Sequence, residues 1–323
     1  MSIAIATRSG NTGTSLGIAC GMGAGALWGL VFLAPALVRD FTPLQLAIGR
    51  YLAYGLASVA LIGPRWRTLV AVVTRREWLS LIWLSLAGNT LYYVLLSAAI
   101  QRGGIAMTSL VIGFLPVAVT MIGSRDQGAV PLRKLTPSLL LCAGGAVCIG
   151  WQALAGAASG SAGTGLVGLL CAIGALVAWT AYAVGNSRCL ARLDHISAHD
   201  WSLLIGVVTG TQVIALIPFT ILFEPIRHAS SAWLQFAGVS VGVAVLASIA
   251  GNALWNRMSR LLPLTLVGQM ILFETLFALT YGFLWERRPP TVMEASAFLL
   301  VVLSVMGCIA AHQSRPGETR GDL

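Results

Sequence analysis

The sequence predicts an all-α integral membrane protein of ten transmembrane helices, built as two inverted five-helix repeats. Three observations carry that prediction. First, the 323 residues are 57% hydrophobic and only 10% charged, with a mean hydropathy of +0.84. Soluble domains run at roughly 45–50% apolar and about 25% charged, and a chain this poor in charge would aggregate in water. Second, the apolar residues fall into ten continuous runs, and nearly all the Arg residues sit in the short gaps between them. Third, one eight-residue pattern recurs at the equivalent place in each half of the chain.

A spanning helix needs roughly 20 mostly apolar residues. The runs at 15–38, 43–62, 77–100, 103–123, 135–154, 163–186, 201–222, 237–259, 262–284 and 292–312 meet that need. The first is too long for a signal-peptide core of about 7–15 residues and is expected to persist as a helix. The others are continuously apolar, whereas the strands of a membrane barrel alternate in polarity. No gap is wide enough for a soluble domain; the stretch from Asn186 to Asp200 reads as a loop.

Orientation follows from the basic residues. With a cytoplasmic N-terminus, 14 of the 20 Lys and Arg residues fall inside, and 6 fall outside: Arg39, Arg50, Arg102, Arg227, Arg287 and Arg288. Cytoplasmic loops carry the excess of positive charge, so both termini are expected in the cytoplasm of a multi-pass inner (plasma) membrane protein. The net charge of +9 is therefore a topology signal. A nucleic-acid binder would gather its basic residues on one face, and no nucleic-acid partner is expected.

The recurring pattern is Ser85-Leu-Ala-Gly-Asn-Thr-Leu-Tyr92 in the third helix and Ser248-Ile-Ala-Gly-Asn-Ala-Leu-Trp255 in the eighth. Trp28 in helix one and Trp179 in helix six form a second matched pair. The expected division is a first repeat over residues 1–154, a flexible Gly/Ala/Ser linker at 155–163, and a second repeat over 164–323 with a short tail. Five helices per repeat make the second half enter from the opposite side. Inverted repeats of this kind mark alternating-access transporters, with the solute held near the midplane between them. A channel or a non-transporting membrane scaffold stands as the alternative from another class.

Enzyme chemistry finds little footing. HExxH and Walker A patterns are absent, and His195, His199, His228 and His312 lie in loops or at an end. The six cysteines show neither CxxC spacing nor His pairing, so no metal or cofactor is expected. Two glycine patterns, Gly21-Met-Gly23-Ala-Gly25-Ala26 and Gly163-Thr-Gly165-Leu-Val-Gly168, imitate a dinucleotide fingerprint. That fingerprint requires a strand before it, and these sit in or open apolar helices. Gly17, Gly21, Gly25 and Gly29 instead form a ridge that lets two membrane helices approach closely. Gly206 with Gly210, and Gly238 with Gly242, repeat that spacing.

Polar and aromatic positions supply the candidate solute site. Ser85, Asn89, Tyr92 and Tyr93 share a helical face, as do Ser248, Asn252, Trp255, Asn256 and Ser259. Polar groups facing lipid go unsatisfied, so both stripes should face the bundle interior, as interhelical hydrogen bonds or as a cavity wall. Trp66, Trp78, Trp201, Trp233 and Trp285 suit the interfacial belt. Trp28, Trp179, Tyr182 and Trp255 sit deeper, as core packing or as a stacking surface for an aromatic or cationic solute. Arg50, seven residues past Pro43, is expected to snorkel outward. Glu274 lies near the midplane, where an intramembrane carboxylate is by default a functional position. Gln269 and Tyr281 on the same helix complete the substrate-binding candidates.

Trp28-Gly29, the Pro43 to Arg50 opening of helix two, and Leu284-Trp285-Glu286 closing helix nine carry a resemblance to a known family. Over its whole length the chain resembles the drug/metabolite transporter superfamily, in its ten-helix EamA-type branch. It departs at the end of helix four, where Ile122-Gly-Ser-Arg-Asp126 replaces the family's Leu-Gly-Glu pattern. In helix nine, Gly268-Gln-Met-Ile-Leu-Phe-Glu274-Thr stands where a Pro-Val pair is common. That run, continued to Tyr281-Gly-Phe-Leu-Trp-Glu286, looks like the aromatic amino acid exporters (the YddG-like proteins). The resemblance implies an inner-membrane exporter with a central cavity and amino-acid-like substrates, aromatic ones above all, or hydrophobic cations.

Overall fold

In the computed structural model, residues 3–123, 132–156, 162–190, 192–193, 195–224, 228–261 and 264–313 are described. Among them every regular element is helical. In chain order these are α1 (Ile3–Leu37), α2 (Pro43–Ile62), α3 (Trp66–Val72), α4 (Arg75–Ser85), α5 (Tyr92–Ile112), α6 (Leu115–Gly123) and α7 (Leu132–Gly156). The second half holds α8 (Ala162–Leu190), α9 (Ala198–Phe223), α10 (Ser230–Val243), α11 (Asn252–Leu261), α12 (Leu264–Glu286) and α13 (Val292–Gln313). Two π-helical segments, Leu86–Leu91 and Ala244–Gly251, join α4 to α5 and α10 to α11.

Six of the described stretches are long and apolar enough to cross a bilayer, and Val292–Ser304 is a shorter apolar helix. The longest stretch, Arg75–Ile112 at 38 residues, would measure about 57 Å if straight, far more than the roughly 30 Å hydrocarbon core. Gly104 resolves the excess. Its φ of +83° breaks the helix, a backbone that glycine adopts without steric cost. The third span therefore ends at Gly103, and the fourth runs from Ile105 through α6. With α7, α12 and α13 the described residues hold ten helical spans, the number that the sequence predicts.

Local chemistry sets the helix starts. Thr42 accepts from the Gln45 amide at 3.2 Å while the Gln45 side chain accepts from the Thr42 amide at 2.9 Å. This is a capping box, and with Pro43 in the first turn it starts α2 where the sequence places it. Thr74 and Glu77 form the same box, so the third span begins at Arg75, two residues early. Ser197 caps α9 by accepting from the Asp200 amide, which shortens the expected Asn186–Asp200 loop. The eighth span starts at Ser230 rather than 237.

The helices pack in a pattern that respects the repeat. α1 lies along α12, α5 along α8, α2 along α9 and α7 along α13. Exchanging the halves turns the first pairing into the second and maps each of the last two onto itself. α2 and α9 run antiparallel: Thr42 donates to Glu224 at 2.6 Å at one end, and Arg65 meets Asp200 at 2.8 Å at the other. Between those ends a Cβ on Gly55 would lie 2.7 Å from the Gly210 Cα. The same offset along the chain relates Gly55 to Gly210 and Arg50 to Ile205, so the pseudo-two-fold passes beside this glycine pair. An axis of that kind lies in the membrane plane.

The α1 ridge works as its spacing predicts. A Cβ on Gly25 would stand 2.9 Å from the Glu274 amide nitrogen, and one on Gly29 would stand 3.0 Å from the Ala278 nitrogen. Gly238 and Gly242 do not act this way, because no atom of a neighbour stands within 4 Å of where their Cβ would be. Small residues permit a close approach, but a partner helix must arrive from elsewhere in the chain, and among the described residues none does on this face of α10. Trp201 also departs from expectation. It is 1% exposed, with its indole N–H on the Asn186 side-chain oxygen at 2.9 Å, and belongs to a buried cluster rather than an interfacial belt.

Candidate solute site

Each half contributes one tryptophan to the repeated motif of the other. Trp28 on α1 packs against Trp255 on α11, with ring centroids 4.9 Å apart. Trp179 on α8 faces Tyr92 on α5 at 6.4 Å. The motif glycines make room for these rings. A Cβ on Gly251 would press to 2.7 Å from the Trp28 indole nitrogen, and one on Gly88 would overlap the Tyr182 ring. Tyr182 lies 5.8 Å from Trp179, edge to face. The two π-helical segments overlap this motif in both halves, and π-bulges recur at functional positions.

The motif's polar residues are engaged with neighbouring backbone and side chains. Asn89 donates to the Thr209 hydroxyl at 3.0 Å, and Asn252 donates to the Ser248 carbonyl of its own helix at 2.8 Å. Ser85 donates to the Ile205 carbonyl at 3.2 Å. Tyr92 and Tyr93 are both buried, and Tyr93 meets Tyr51 of α2 edge to face at 5.7 Å. Tyr281 donates to the Ala26 carbonyl at 3.1 Å, tying α12 to α1. The Gln269 side chain lies outside the described residues.

Two charges complete the region. Glu274 sits in the middle turns of α12 and is only partly buried. Arg50 is 8% exposed, contrary to the expectation that it snorkels. Its guanidinium lies 4.4 Å from the Tyr93 ring centre and 5.0 Å from that of Tyr51, and Nη2 donates to Ser248 Oγ at 3.3 Å. Flanking rings and a hydroxyl from three different spans hold it in the bundle, and cation–π attraction is strongest when desolvated. Arg50 and Glu274 act on each other electrostatically, and both act on Tyr92. The sequence alone does not mark Arg50 and Tyr51 as site residues. The available signal was that Arg50 interrupts an apolar run whose counterpart in the second half carries Ile205.

Among the described residues no group of His, Cys, Asp and Glu could hold a metal. Two nucleophile-elbow spacings do occur, Gly13-Thr-Ser-Leu-Gly17 and Gly238-Val-Ser-Val-Gly242. They lie inside α1 and α10, whereas that motif requires a strand-to-helix turn, so neither carries a catalytic reading.

Tandem five-helix halves that meet around aromatic and charged residues define a polytopic membrane protein of the transporter class. The chain belongs to the EamA-like transporter family, which matches it twice, over residues 15–151 and 166–310. It is 30% identical over 308 residues to the inner membrane protein YtfF of Escherichia coli (strain K12), spanning 91% of this chain and 94% of that protein. A protein of known crystal structure shares the fold at a TM-score of 0.61 and 20% identity, over 94% of this chain and 99% of the other.

Proposed function

We propose that the protein is a secondary transporter that exports small metabolites across the inner membrane by alternating access. Amino acids with aromatic or otherwise hydrophobic side chains are the foremost substrates. The observation that carries this reading is the crossed pair of aromatic contacts, Trp28 with Trp255 and Tyr92 with Trp179. Each links the two halves, so any rocking of one half against the other opens or closes a surface on which a flat solute stacks. Glu274 supplies a carboxylate in the same region, suited to the ammonium group of an amino acid or to a transported proton. Asn89, Tyr93, Tyr182, Asn252, Gln269 and Tyr281 belong to the same proposed lining. The basic-residue count supports a cytoplasmic position for both termini.

The same aromatic and acidic groups would also suit a hydrophobic cation, which is the second reading. Counterflow in liposomes separates the two. Protein reconstituted with internal unlabelled tryptophan should accumulate labelled tryptophan and phenylalanine, saturably. Exchange of a hydrophobic cation such as tetraphenylphosphonium, with none of any amino acid, would replace the first reading by the second.

A further inference from the structure

We propose that Arg50 is the docking point for the carboxylate of the transported solute, gripped between the Tyr51 and Tyr93 rings. This deepens the amino acid reading and rests on it for the identity of the solute, though not for the carboxylate chemistry itself.

Three observations lead there. The first is an unfilled demand. An arginine keeps its charge in proteins and offers five N–H donors in a planar fork. Arg50 is buried and gives Nη2 to the neutral Ser248 hydroxyl, while Nε and Nη1 meet no acceptor among the described residues. Within a membrane bundle such a cation normally pairs with a carboxylate or with backbone carbonyls. No carboxylate lies within ion-pair distance of Arg50 among the described residues.

The second observation comes from the repeat. Ser85 and Ser248 are the matched first residues of the two motifs, and each faces the matched position on the crossing helix. Ser85 meets Ile205 there, through the backbone carbonyl; Ser248 meets Arg50. The first arrangement closes the same packing geometry with an aliphatic residue, so the charge answers to something other than packing. Third, the chemistry of the surroundings fits one ligand class. A guanidinium grips a carboxylate through two parallel hydrogen bonds, and flanking rings orient the fork. Glu274, on the other half, leaves a solute's ammonium end a separate partner, so the two ends of an amino acid are read by residues of different halves. The unpartnered donors are closed to solvent in this conformation, as one state of an alternating site requires, and solute reaches them when the halves rock.

Thermal stabilisation of detergent-purified protein tests this with three probes: L-tryptophan, indole-3-propionate (no amine) and tryptamine (no carboxylate). Both carboxylates should stabilise the wild type. Arg50→Gln should weaken that binding on the order of tenfold or more and leave tryptamine binding unchanged, while Arg50→Lys restores part of it. The Lys variant also controls for folding, since it keeps the charge. The proposal is overturned if neither carboxylate stabilises the wild type, if Arg50→Gln binds them as the wild type does, or if it loses tryptamine equally. Failure of the amino acid reading looks different: no tryptophan counterflow, with Arg50-dependent stabilisation by indole-3-propionate intact.

Discussion

Trp28 and Trp255 stand 4.9 Å apart with their ring planes inclined at 36°, and the Trp28 indole N–H is anchored on the Ala247 carbonyl at 3.0 Å. The anchor is a π-segment carbonyl of the opposite half, so the ring's position reports where one half sits against the other. Trp179 and Tyr92 hold the matched position across the pseudo-two-fold. Truncating either partner of that second pair, by Trp179→Ala or Tyr92→Ala, removes a stacking face worth on the order of 1 kcal/mol. A several-fold rise in the half-saturating concentration of tryptophan in liposomes is expected, with expression unchanged. Wild-type kinetics in both variants would reassign these rings to passive packing.

Glu274 separates three roles by one substitution. Glu274→Gln keeps shape and hydrogen bonding but removes titration. If the carboxylate carries a proton, the variant loses pH-driven flux and retains solute exchange. If it pairs with the substrate ammonium, binding of amino acids weakens while analogues lacking the amine are unaffected. Should flux, pH dependence and analogue selectivity all match the wild type, Glu274 is structural, and Glu274→Leu should then be the variant that misfolds.

The α1–α12 interface predicts a stability contrast. Gly25→Ala places a methyl 2.9 Å from backbone atoms of Phe273 and Glu274 that have nowhere to go. Forcing those helices apart should cost about 1–3 kcal/mol, visible as a lower melting temperature in detergent. Gly238→Ala meets open space and should stay within about 0.5 kcal/mol of the parent. Equal melting temperatures for the two variants would contradict the close approach.

Topology reporters test the orientation drawn from the basic residues. Fusions after Ile62, Gly123, Gly185 and the C-terminus should read cytoplasmic, and fusions near Asp40, Ser159 and Glu224 periplasmic. Reversed signals at Ser159 and the C-terminus would remove the inverted relationship between the halves.

The spans, the tandem repeat and the family were legible in the sequence because the bilayer reads a chain locally. Twenty apolar residues satisfy it wherever they occur, a Thr42–Gln45 box starts a helix through its own four residues, and a matched motif needs no third dimension to be seen. Direction was legible at Gly25 and Gly29 as well, since a glycine ridge describes its own face. What only the tertiary structure decided was which faces met. Gly238 and Gly242 carry the same spacing and find no neighbour. Trp201 reads as interfacial by position and is buried because Ile62 of α2 and Leu84 of α4 share its hydrophobic cluster, while Asn186 accepts from its indole. Arg50 is the clearest case. Its distance from Pro43 permits snorkelling, yet Tyr93 and Ser248, from spans remote in the chain, close around it. Helix formation and membrane insertion answer to short-range chemistry, whereas the partner of a side chain is set by which distant segments the packing brings alongside.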